Sequence, residues 1–164
     1  MPKIVDYLQI FRAHTGMATV YTILIPYLYL NRHPVYAIPL FFLGLLAHYT
    51  SFGHNSIMDY SHDQEDPGKQ HHPLVAGRVK YEQAMNIVFY LQIITGILLS
   101  LIAVLLDSPM ALLFLLLYGL SGHAYNDGLD HQSLHSWIPI SISFAGLTMY
   151  GLLLHPSSLR VDIL

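Results

Sequence analysis

Residues 83–106 read QAMNIVFYLQIITGILLSLIAVLL, a run without a single Asp, Glu, Lys or Arg. A helix of that length measures about 36 Å, enough to cross a hydrocarbon core of roughly 30 Å. Outward from it the chain holds four more charge-free runs, at 13–31, 33–58, 108–126 and 131–159. Seven Lys plus Arg and ten Asp plus Glu are spread over 164 residues, of which 54% are hydrophobic and 10% charged. Soluble chains are about a quarter charged, and disordered ones hold far fewer apolar residues. A soluble α-bundle would need charged outer faces that this composition does not supply. A β-barrel, the other architecture that satisfies its backbone in lipid, needs a strict apolar-polar alternation that is absent here. The expected fold is all-α: one domain over 1–164, a polytopic membrane helical bundle of about five transmembrane helices, with spans near 13–31, 35–53, 84–106, 109–126 and 137–154.

Two connections are short. Asn31-Arg32-His33-Pro34 and Asp107-Ser108-Pro109 each place a proline at a helix start, and Asp107 or Ser108 can cap the second. With five spans, the N-terminal segment, the 54–83 loop and the 127–136 loop share one side. That side carries Lys3, Arg12, Lys69, Arg78 and Lys80, while Arg32 and Arg160 lie opposite. The positive-inside rule therefore predicts a multi-pass protein of the cell membrane with its N-terminus and polar loops in the cytoplasm and Arg160–Leu164 on the far side. Met1-Pro2-Lys3 leads into the first apolar run with no small-residue cleavage site behind it, so no removable signal peptide is expected. A net charge of −3 without a basic patch argues against a nucleic-acid partner. The lack of Cys removes disulfides and thiolate chemistry.

The informative polar segment is 55–82, NSIMDYSHDQEDPGKQHHPLVAGRVKYE, which holds eight of the 17 charges. Asn55, Asp59 and Asp63 recur every fourth residue and so line one face of a helix. Asp66 extends that face if the helix persists as far as Pro67. Like charges one turn apart repel by a few tenths of a kcal/mol in water, and more at a membrane helix end. A compensating cation is expected. Lys69, Arg78 and Lys80 can serve, as can Mg²⁺, which typically takes one or two carboxylates plus phosphate oxygens. A solvated loop whose acids pair with its own bases explains the same composition.

Asn55-xxx-Asp59-xxx-Asp63, then Asp66-Pro67 and His72-Pro73-Leu74-Val75-Ala76-Gly77-Arg78-Val79, resembles the first aspartate-rich motif and trailing segment of the UbiA superfamily of intramembrane prenyltransferases. The resemblance runs from about Arg12 to the end of the chain. It implies a UbiA-like bundle that transfers an isoprenoid chain from a polyprenyl diphosphate to a lipophilic, often aromatic and quinone-precursor-type acceptor, with Mg²⁺. By the same resemblance, Asn55, Asp59 and Asp63 hold metal and diphosphate, and Arg78 with Lys69 neutralises the diphosphate. His72 stands where the family has arginine, leaving a contact that depends on pH. Mg²⁺ with Lys or Arg stabilises charge building on a departing diphosphate. Tyr60, Tyr125, Phe52 and Phe144 are candidates for an aromatic wall facing the allylic cation.

The family fold has nine helices and a second aspartate-rich motif after the sixth. Here Tyr125-Asn126-Asp127-Gly128-Leu129-Asp130 offers Asp127 and Asp130 as further metal candidates, or merely as a capped turn. The length suggests half of a divided enzyme, a relic, or a homo-oligomer or two-polypeptide assembly that completes the bundle. A non-catalytic subunit is the alternative, with Gly44, Gly96, Gly119, Gly122 and Gly151 as close-contact positions. A second alternative is a membrane di-iron oxidoreductase, since eleven His include His48, His54, His62, His71, His72, His123, His131 and His135.

Overall fold

A computed structural model describes residues 2–30, 34–126 and 137–154. Among these the regular structure is helical, with no strand. The helices are α1 (Ile4–Ile10), α2 (Gly16–Leu30), α3 (Ala37–Met58), α4 (Tyr60–Glu65), α5 (Tyr81–Leu105), α6 (Pro109–Ala124) and α7 (Trp137–Leu153). Each expected span falls on one of α2, α3, α5, α6 and α7. Two stretches, Pro34–Met58 and Tyr81–Leu105, are long and apolar enough to cross a membrane, while Pro109–Ala124 and Trp137–Leu153 are shorter apolar helices. α3 passes the expected end at 53 because its charge-free run continues to Met58, and Ser, His and Asn do not break a helix. The turn containing Asn31, Arg32 and His33 lies outside the described residues, as do residues 127–136 and 155–164.

α2 packs on both α3 and α7, α6 packs on α7, and α3 packs on α5. Two glycines let neighbouring helices close on α2. A Cβ at Gly44 would sit 2.9 Å from the Val20 Cα, and one at Gly151 would sit 2.3 Å from the Ile23 carbonyl oxygen. Side chains larger than hydrogen would push α3 and α7 off α2. Gly96 and Gly119 were expected at such contacts as well, but a Cβ on either meets nothing within 4 Å. The resulting core buries Ile23, Tyr27, Leu40, Leu99, Leu147 and Tyr150 completely, and the Tyr150 hydroxyl donates to the Leu99 carbonyl at 2.6 Å. That hydrogen bond is what lets a tyrosine sit in the core. Outward, Phe89, Ile93, Ile97 and Leu101 form an exposed apolar row along α5. Such a face suits lipid and would be a liability in water.

A second core lies at the polar end. Ile10, Phe11, Ile57, Leu74, Val79 and Val88 bring together α1, the end of α3, the loop and the start of α5. The polar loop is therefore packed, and not simply wet. Its turn is made by Gly77 at φ +66, with the Arg78 and Val79 amides donating to the Pro73 carbonyl at 3.0 and 3.2 Å. Glycine takes that left-handed backbone without steric cost. At the opposite end Asp107 turns the chain at φ +50, and Pro109 opens α6. Ser108 occupies the cap position, but its hydroxyl donates back to the Leu106 carbonyl at 3.1 Å and does not accept from the helix.

Candidate active site

α3 ends at Met58 and α4 begins at Tyr60, with Asp59 as a turn residue between them, but Asp59 keeps its own i to i+4 hydrogen bonds in both directions. The Asp59 amide donates to the Asn55 carbonyl at 2.9 Å, and the Asp63 amide to the Asp59 carbonyl at 2.8 Å. Asp59 itself keeps right-handed helical backbone angles. Asn55, Asp59 and Asp63 are thus successive steps on one helical face. The Asn55 amide group donates to Asp59 Oδ2. Asp63 is buried, and its Oδ1 lies 3.6 Å from the Lys69 ammonium. Pairing offsets the cost of taking that carboxylate out of water.

Asp66 does not extend the row. Helix α4 stops at Glu65, Asp66 takes extended angles, and its Oδ1 accepts from the Gly68 amide at 2.8 Å. The cause is Pro67, whose ring disfavours helical geometry in the residue before it. Asp66 caps the following turn.

His72 has its Nδ1 buried with no hydrogen-bond partner among the described residues. Desolvation lowers its pKa, Lys69 and Arg12 push in the same direction, and Asp63 pulls the other way. His72 is therefore mainly neutral near pH 7, consistent with a site that already holds two nearby cations.

Arg78 is committed elsewhere. Its Nε donates to Asp6 Oδ1 at 2.8 Å, and its Nη2 donates to Gln9 Oε1 at 3.3 Å and to the His71 carbonyl at 3.0 Å. The loop arginine ties α1 to the polar end. Hydrogen bonding from Arg78 and from the Lys3 amide lowers the Asp6 pKa.

Asn55 also lines a cavity with Phe52, Tyr125 and Phe144, flanked by Thr19, Ser51 and Tyr118. Three of the four expected wall aromatics are there. Tyr60 is not: its ring lies 5.0 Å from that of Tyr81, and its hydroxyl accepts from Gln64 at 3.0 Å. Tertiary packing decided this, since Tyr60 falls on the α4 side of the break.

Arg12, a residue that the polar motif does not include, also stands at this cavity. Its guanidinium stands 5.4 Å from the centre of the Phe52 ring, a cation–π contact at the cavity wall. Its backbone has φ +46, and its carbonyl accepts from His48 Nε2 at 3.0 Å. Because a carbonyl only accepts, His48 carries its proton on Nε2, and Nδ1 accepts from the Thr19 hydroxyl at 3.0 Å. The available signal was position: Arg12 is the last charge before the first apolar run.

The histidines do not assemble into a metal centre: among the described residues no group of three or more His, Asp or Glu is placed to hold an ion. His54 and His123 stack edge to face at 4.6 Å, and His54 Nδ1 is 2.9 Å from the Asn126 amide nitrogen. Asp127, Asp130, His131 and His135 lie outside the described residues. The Asn55, Asp59 and Asp63 set is chemically different, one amide and two carboxylates, all hard oxygen donors. It fits Mg²⁺, which completes its shell with water and phosphate oxygens.

Among known families, residues 16–162 match the one described as the UbiA prenyltransferase family. No curated protein and no solved structure matches the chain.

Proposed function

Because the chain belongs to the UbiA prenyltransferase family, we propose that it transfers a prenyl group from a prenyl diphosphate to a lipophilic acceptor, often aromatic and of the quinone-precursor type, at the cavity mouth beside Asn55. The observation that carries this reading is the pair of i to i+4 backbone hydrogen bonds that links Asn55 to Asp59 and Asp59 to Asp63. It stacks three oxygen donors where the apolar cavity meets the polar end. Asn55, Asp59 and Asp63 would hold Mg²⁺, which when bound neutralises charge on the diphosphate and makes it a better leaving group. Lys69 and Arg12 attract and orient the diphosphate, with His72 as a neutral hydrogen-bond donor beside them. Arg78, through Asp6, keeps α1 and hence Arg12 in place. Phe52, Tyr125 and Phe144 exclude water and offer π faces to the allylic cation.

In the same reading α2, α3, α5, α6 and α7 each cross the bilayer, and the polar end faces the cytoplasm. The test is incubation of membranes with a radiolabelled prenyl diphosphate and candidate acceptors. Transfer by the wild type and equal transfer by Asp59→Ala would remove this row from the mechanism.

A further inference from the structure

The left-handed backbone of Arg12, at φ 46 and ψ 46, is disfavoured for any residue but glycine, so the peptides on both sides of it must be tied. The Arg12 amide donates to the Gln9 carbonyl at 3.1 Å. The Arg12 carbonyl accepts from the Thr15 amide at 2.9 Å and from the Thr15 hydroxyl at 2.8 Å, both within the same turn. It also accepts from His48 Nε2 at 3.0 Å, and that donor comes from α3. At the other edge of the imidazole the Thr19 hydroxyl donates to Nδ1 at 3.0 Å and so fixes the tautomer. His48 is 1% exposed with both ring nitrogens engaged, which keeps it out of contact with any substrate.

The same imidazole packs on the ring that faces the guanidinium. His48 and Phe52 lie one turn apart on α3, with ring centres 4.3 Å apart and planes inclined by 35°. Phe52 lines the cavity beside Asn55, and the Arg12 guanidinium stands 5.4 Å from its centre. One side chain therefore touches both partners of the cation–π contact, the backbone of Arg12 and the ring of Phe52. Right-handed angles at Arg12 would turn its carbonyl away from His48 and swing the side chain off Phe52. His48, Phe52 and Asn55, at i, i+4 and i+7, share one face of α3, so the anchor is the deeper end of the row that carries the oxygen donors. We propose that His48 is a positioning residue: its Nε2 proton locks the Arg12 carbonyl and thereby aims the guanidinium at the cavity mouth, where it receives a diphosphate. What Arg12 does there rests on the prenyl-transfer reading, whereas how it is held does not.

Two measurements on the full chain in nanodiscs test this. The chain holds four arginines, so NMR of isotope-labelled arginine can resolve Arg12. The Phe52 ring current should move its side-chain proton signals upfield, and Phe52→Leu identifies them by removing the shift. His48→Phe keeps a ring beside Phe52 but has no donor, and His48→Asn has a donor too short to reach the Arg12 carbonyl. Both should return the signals to the position of an exposed arginine, while His48→Gln, whose amide can donate from near the place of Nε2, retains the shift. A shift that survives His48→Phe or His48→Asn, or that the wild type lacks, would overturn the proposal, and either variant decides if the other fails to fold. The second measurement titrates inorganic diphosphate with Mg²⁺. His48→Phe should weaken binding about fivefold, the factor for one neutral hydrogen bond, and His48→Gln should recover most of it. Added to Arg12→Gln, His48→Phe should cost nothing more, because its partner's charge is already gone. A further fivefold loss in that double variant would mean that His48 acts on something other than Arg12 and would also overturn the proposal. A shifted, His48-dependent Arg12 in a chain that binds no diphosphate would refute the prenyl-transfer reading and support the anchor.

Discussion

Arg78 donates from Nε to Asp6 Oδ1 at 2.8 Å across 72 residues of sequence, joining the loop after α4 to the first helix. The carboxylate is favoured in the folded state, so the Asp6 pKa lies below its ordinary value of 3.8. A depressed carboxyl pKa contributes stability that is present above the ordinary value and is lost as pH falls through the folded one. Acidification below about pH 4 should therefore release α1, read as faster amide exchange over residues 4–10. Asp6→Asn should produce the same release at pH 7. Unaltered protection in that variant would show that α1 is held by Ile10 and Phe11 packing alone.

The metal row predicts a second set of outcomes. Asp59→Ala and Asp63→Asn should each reduce prenyl transfer by about a hundredfold or more, the scale for removing one preorganised charge-stabilising contact. Chelation by EDTA should abolish transfer and added Mg²⁺ should restore it in the wild type only. Full activity in the presence of chelator would rule out a metal role for these residues.

Lys69 separates activity from stability. Its ion pair with Asp63 is long, at 3.6 Å, and the lysine is 39% exposed. Such a pair contributes at most about 1 kcal/mol to stability. Lys69→Met should leave the unfolding midpoint close to wild type and raise KM for the prenyl diphosphate severalfold, with Lys69→Arg recovering much of it.

Helix packing gives a fourth test. Gly151→Ala places a methyl against the Ile23 carbonyl and should destabilise the fold by about 1–3 kcal/mol, as overpacking does. Gly96→Ala has room for its methyl and should be neutral or stabilising by up to about 1 kcal/mol through helix propensity. Thermal unfolding of the two variants side by side measures the contrast.

The helices were legible because hydropathy and charge scarcity are local, and the Asn55, Asp59 and Asp63 face was legible because a period of four is a helical property. Asp66 shows the limit of periodicity: the spacing continues, but Pro67 turns the chain. The destinations of Arg78 and Tyr60 were not legible, since both depend on partners from other elements, Asp6 on α1 and Tyr81 on α5. Nor could the sequence tell Gly44 and Gly151, pressed against α2, from Gly96 and Gly119, which border empty space. Composition counts glycines, and only packing distinguishes what faces them.

The left-handed backbone of Arg12 carries a further consequence. A side chain other than glycine in that region costs of order 1 kcal/mol or more. Arg12→Gly relieves the turn and at the same time removes the cation over Phe52. Stability and catalysis then favour opposite residues at a single position, as they do at many active sites. A library of this chain selected only for heat resistance should accumulate glycine at position 12, and one selected for turnover should return to arginine.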